Sequence, residues 1–212
     1  MLNIYKLHSN PDELIGYTDR DWYFGDEAQE LILQGKEVTK VFGDLYLGYT
    51  EIESLPDNLT VGGFLYLAGT PITSLPDNLT VGGYLYLRDT PIASLPDNLT
   101  VGGYLDLRGT KITSLPDDLT VGGGLDLADT KITSLPDNLT VDGNLNLSGT
   151  PITSLPDNFT VGGDLDIMHT QITSPPDNLT VGGDLWLSRT PNLDKDNLPS
   201  SLVVKGEIYE PL

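Results

Sequence analysis

Ser148, Asp166 and His169 lie close together in the sequence and are the residue types of a hydrolytic relay. Such a relay needs a histidine held between serine and carboxylate, donors for an oxyanion and a pocket that excludes water. These three residues instead fall on successive copies of a 20-residue repeat that reads as an open sheet. An open sheet supplies neither the pocket nor the donors, so the chain is read as not an enzyme.

Carboxylates are the next candidates. One aspartate recurs in each copy, at Asp57, Asp77, Asp97, Asp117, Asp137, Asp157 and Asp177. A single column with about 5 Å between copies offers at most two carboxylates to one cation. Turn formation accounts for it better, because Asp side chains bond back to the local backbone. Asp164, Asp166 and Asp184 form a second acidic group, but no loop supplies the further oxygens that calcium needs. The stretch "GGGLDL" has the glycines and aspartate of calcium-binding nonapeptides without their period of nine. There is no cysteine, and His8 and His169 are the only histidines, so a zinc site is not expected. No metal and no cofactor is assigned. A calcium or small-ligand binder is kept as an alternative. The "Asn-Leu-Thr" sequons at Asn58, Asn78, Asn98, Asn138 and Asn178, with "Asn-Phe-Thr" at Asn158, are read as turn residues rather than glycan acceptors.

The positioning elements come from the repeat itself. "SLPDNLTVGG" starts at Ser54 and recurs at Ser74, Ser94, Ser114, Ser134 and Ser154, then as "SPPDNLTVGG" at Ser174. In the copy "LPDNLTVGGYLDLRGTKITS" the apolar positions are Leu95, Leu99, Val101, Leu105, Leu107 and Ile112. Alternation around Leu105 predicts a short half-buried strand. "Pro-Asp-Asn" predicts a turn, and "Gly-Gly" marks positive φ or close packing. One copy cannot bury its own apolar set, whereas stacked copies can. Nine rungs from Leu45 to Ile208, at roughly 4.8 Å each, give a sheet about 38 Å long.

The segment "LYLAGTPI" matches L-x-L-x-x-N-x-L with Thr70 in place of Asn. With "SLPDNL", it resembles the short 20-residue leucine-rich repeats of secreted bacterial effectors, over about residues 43–209. Threonine fills the Asn column throughout: Thr50, Thr70, Thr90, Thr110, Thr130, Thr150, Thr170 and Thr190. Its hydroxyl can still cap the inner backbone, though less completely than an amide. A flatter solenoid, or one with strands on both faces, stays open. The expected fold is a mainly β repeat solenoid, a leucine-rich-repeat-like stack of about nine rungs with an N-terminal α/β cap. The cap is placed at 1–42 (strand plus short helix), the repeats at 43–193 and a degenerate capping repeat at 194–212. "NIYKL" reads as a strand, and "DEAQELILQG" as a helix with Asp26 as N-cap, Ala28, Leu31 and Ile32 on one face, and Gly35 as its stop. A separate binding element around "HSNPDELIGYTDRDWYF" (His8, Asp19, Asp21, Trp22) is the other reading of the N-terminal segment.

The formal charge is −20. Four bases face eight acids before Gly43, and seven face 23 after it. Such charge repels nucleic acid and anionic membrane and favours a basic partner. The N-terminus shows no apolar run after a basic start, and a cytoplasmic location is expected.

Two variable columns flank the strand leucines. One runs Asp44, Phe64, Tyr84, Tyr104, Gly124, Asn144, Asp164, Asp184, Glu207. The other runs Tyr46, Tyr66, Tyr86, Asp106, Asp126, Asn146, Asp166, Trp186, Tyr209. Both are expected on the outer face of the sheet, which the resemblance implies is a concave binding surface. Tyr46, Phe64, Tyr66, Tyr84, Tyr86, Tyr104 and Trp186 would anchor a protein partner. Asp106, Asp126, Asp164, Asp166 and Asp184 would steer its basic surface. Cross-strand ladder stabilisation is the competing role of the aromatics. The expected function is a non-enzymatic scaffold. More finely, it is an acidic inhibitor that occludes a nucleic-acid-binding enzyme, for example as a phage or mobile-element counter-defence protein. A secreted effector scaffold is the second reading.

Overall fold

The computed structural model describes residues 22–187, 193 and 198–210. Among them the chain is a mainly β solenoid of about nine turns, each contributing two very short strands to two parallel sheets. The expected strand around each first leucine forms the nine-stranded sheet, running from Leu45–Tyr46 to Ile208–Tyr209. A second strand, matching the alternative with strands on both faces, lies at each "Thr-Val" pair. With the entering segments it builds a ten-stranded sheet from Tyr23–Phe24 to Val203–Val204. Strands on both faces are therefore the outcome. Register repeats the period: Leu65 pairs Leu85 and Thr60 pairs Thr80. At the last turn the step lengthens, and Val181 pairs Val204.

The leucine and valine columns face one continuous core between the sheets. Leu45, Leu65, Leu85, Leu105, Leu125, Leu165 and Leu185 are fully buried, as are Ile72, Ile92, Ile112, Ile132, Ile152 and Ile172. Each is worth about 1.5–3 kcal/mol of burial, collected only when neighbouring copies stack. The threonine column closes each turn from inside. Thr70, Thr90, Thr110, Thr130, Thr150 and Thr170 are buried, and each hydroxyl donates to the carbonyl three residues earlier, as in Thr110 to Leu107 at 2.7 Å. The hydroxyl thus replaces the expected asparagine with one local bond.

The paired glycines answer to crowding, not to positive φ. A Cβ on Gly103 would lie 2.9 Å from the Gly83 carbonyl oxygen and would strike the Tyr84 ring. The second glycine of the pair keeps this stacking through Gly63, Gly83, Gly103, Gly123, Gly143, Gly163 and Gly183, whereas the first is Asp142 in one copy. Positive φ occurs instead at turn residues such as Asn58, Asn78, Asn158 and Asn178, whose amides bond from copy to copy, Asn78 to Asn58 at 3.1 Å.

At the N-terminal end, helix Gly25–Leu33 packs on strand Leu45–Tyr46 with Ala28 and Ile32 buried and Leu31 partly so. Asp26 is not its N-cap. The strand Tyr23–Phe24 runs straight into the helix, so Phe24 occupies the cap position without a side-chain bond, and Asp26 falls in the first turn. There it acts on the positive end of the helix dipole. Gly35 ends the helix at φ 72°, as its position implied. The "NIYKL" strand, His8, Asp19 and Asp21 lie outside the described residues, as does Thr190. No helix among the described residues is long and apolar enough to cross a membrane.

Candidate functional site on the nine-stranded sheet

The outer face of the nine-stranded sheet carries both variable columns. Its N-terminal half is an aromatic array. Phe64 stacks on Tyr84 with ring centroids 4.7 Å apart, and Tyr84 meets Tyr104 edge-on at 6.0 Å. In the neighbouring column Tyr46, Tyr66 and Tyr86 follow one another at 6.5 and 5.4 Å. The columns touch where Tyr84 meets Tyr86. Strand pairing at a fixed register makes these contacts, since residues on neighbouring strands stand opposite one another. Part of each ring is thus used in a ladder. Much remains open: Tyr46 is 53% exposed, and Phe64 and Tyr84 are also exposed. Tyr49, in the turn after the first strand, adds a further exposed ring 6.4 Å from Tyr66. The column reading did not include Tyr49; its signal was the variable turn position it shares with Gly69, Asp89 and His169.

The middle of the face departs from expectation. Asp106 and Asp126 are not exposed steering charges; they are 1% and 6% accessible. The cause is Arg108, from a third variable column (Gly48, Ala68, Arg88, Arg108, Ala128, Ser148, Met168) that the sequence reading passed over. Its Nε donates to Asp106 at 2.9 Å, its Nη2 takes the other Asp106 oxygen, and its Nε lies 3.4 Å from Asp126. Tyr104 donates its hydroxyl to Asp126 at 2.9 Å. Burial, with Asp126 beside it, pushes the Tyr104 phenol well up, and the bond to Asp106 pushes the Arg108 guanidinium up. This buried cluster separates the aromatic half from the polar half.

Beyond it, the acids have structural duties. Asp164 and Asp184 each accept the backbone N–H of the next copy at 2.8 Å, from Asp184 and Glu207 respectively. Asn144 and Asp44 do the same for Asp164 and Phe64. Asp166 accepts from the Met168 N–H at 2.9 Å, and burial pushes its carboxyl up. Each of these three aspartates is partly exposed. Trp186 stacks on Tyr209 at 4.1 Å at the C-terminal end. The candidate relay is not assembled: the Ser148 hydroxyl donates to Asn146 at 2.7 Å, and His169 occupies an exposed turn at φ 58°. Among the described residues no group of three or more His, Cys, Asp or Glu is placed to hold a metal ion.

No family model and no curated protein matches this chain. Among solved structures, the chain is similar to the leucine-rich repeat domain of a Shigella effector, with a TM-score of 0.49 and 20% identity over 86% of this chain and 88% of that one.

Proposed function

We propose that the protein is a non-enzymatic scaffold that binds another protein through the outer face of its nine-stranded sheet. The observation that carries this is the aromatic array. The core is complete without Tyr46, Phe64, Tyr66, Tyr84, Tyr86 and Tyr104, yet they stand together on one face with open ring surface. Contiguous exposed aromatics of this kind mark partner surfaces and supply their hot spots.

The finer reading is an inhibitor that occludes a basic partner. From Ile112 to Ser188 the chain has 11 acids and a single base, Lys131. That charge steers association with a basic surface and repels nucleic acid. A nucleic-acid-binding enzyme fits such a surface, and blocking one is the counter-defence role suited to a phage or mobile element. The steering would come from Asp164, Asp166 and Asp184, because Asp106 and Asp126 are buried against Arg108.

The test is affinity capture from a bacterial lysate at low and high salt, with the wild type beside a Tyr84→Ala/Tyr86→Ala variant. Loss of a retained protein with an unchanged, cooperative melting transition supports docking through the rings. Parallel loss of fold and capture would assign the rings to the ladder instead. A complex insensitive to salt would remove the inhibitor reading while leaving the scaffold intact.

A further inference from the structure

The C-terminal corner of the same face has a chemistry of its own. Asp166 pairs in register with Trp186, and Trp186 with Tyr209. The two rings stack at 4.1 Å and 13°, and Tyr209 remains 39% exposed. By register, Asp184 and the exposed Glu207 stand in the neighbouring column on the strands of Trp186 and Tyr209, and Asp164 and Asp166 lie on the strand before them. Each aspartate uses one oxygen on a backbone N–H. The second oxygen of Asp164 accepts from the Asn144 amide, while those of Asp166 and Asp184 accept nothing among the described residues. Arg88 and Arg108, which pair with Asp89, Asp106 and Asp126, lie copies away from this corner.

Four carboxylates beside an aromatic stack complement a cationic side chain. The ring face attracts a guanidinium or ammonium, and the carboxylates pair with its N–H groups. We infer that this corner is the seat for an arginine or lysine side chain on a basic segment of the protein partner. The inference rests on reading the same sheet face as a docking surface. It divides that face into an apolar platform around Tyr84 and a cation seat around Trp186, five strands or about 24 Å away. The partner then presents an apolar patch and a basic residue at that separation. Asp166 fits the role. Its carboxyl is pushed up by burial, against the pull of the Met168 N–H bond, and a docked cation would favour the charged form.

The chain has two tryptophans, so a Trp22→Phe variant leaves Trp186 as the sole tryptophan, whose emission is read with tryptophan-selective excitation. That full-length variant is titrated with an oligo-arginine peptide, with oligo-glutamate as control. The expected result is a saturable change in Trp186 emission with the cationic peptide alone, weakened by salt. Adding Asp166→Asn and Asp184→Asn, which keep the backbone acceptors, should weaken binding by about tenfold or more. Adding Tyr84→Ala and Tyr86→Ala should leave it unchanged. A silent titration, or one indifferent to the Asn substitutions, overturns the cation seat. Loss of lysate capture in the tyrosine variant alongside a silent titration would retain the docking face without this seat. A normal titration with capture indifferent to the tyrosines would reject the platform and keep the seat.

Discussion

Removing Arg108 should destabilise the fold by stranding a buried carboxylate. In Arg108→Ala, Asp106 loses the Nε and Nη2 bonds and keeps only the Arg108 backbone N–H, 3.1 Å from one oxygen. Its other oxygen is left without a partner on a residue that is 1% accessible. Asp126 suffers less, because Ala128 N–H and Tyr104 hydroxyl still bond it at 3.0 and 2.9 Å. Breaking a buried ion pair from one side costs about 3–5 kcal/mol. The Arg108 side chain is itself 38% exposed, so water reaches the vacated site and the lower end applies, about 3 kcal/mol. With an m-value of about 2 kcal/mol/M, the urea midpoint falls by about 1.5 M. Equilibrium urea unfolding followed by circular dichroism reads this directly. The control is Arg108→Ala with Asp106→Asn, in which the stranded charge is gone; most of the lost midpoint should return. A midpoint within about 0.3 M of wild type for Arg108→Ala, or no recovery in the double variant, refutes the argument that Asp106 is held buried by its partner.

The glycine pair and the acid corner give further tests. Gly103→Ala should destabilise by about 2 kcal/mol or more, because the new methyl meets the Gly83 backbone at 2.9 Å. Gly62→Ala, whose nearest atom would be the Val41 carbonyl oxygen at 3.5 Å, should cost less than about 1 kcal/mol, and comparable losses at both positions in thermal melts would reject the crowding account. Asp166→Asn keeps the acceptor for Met168 N–H. Burial raises the Asp166 carboxyl in the fold above its unfolded value, so its contribution favours folding in acid and is lost as pH rises through the folded value. The variant should therefore melt no lower than wild type at pH 7. Any advantage should disappear below the carboxylate range, at about pH 3. A variant that melts lower at pH 7 contradicts this sign.

The sequence by itself determined the solenoid. An apolar column repeated every 20 residues has one economical solution, stacking each copy on the last, and this dictated the parallel register, the buried leucines and the inward threonines. It also determined which columns face outward beside Leu45 and Leu65, because strand side chains alternate. The second sheet was legible only as an open alternative, since a two-residue strand such as Thr100–Val101 is too short to show alternation and exists only through its pairing with the copies above and below. Asp26 as a cap failed for a related reason: the strand entering the helix is held by Val41 and Phe42, far along the chain. The largest difference lies in the acids. Asp106 and Asp166 occupy the same outward column by sequence, yet only the folded arrangement brings Arg108 across Asp106 and Asp126 and buries them, while Asp166 stays partly exposed. Column position sets which face a side chain takes. Its charge and exposure are decided by neighbours one and two strands away, and those are fixed only when the copies have stacked.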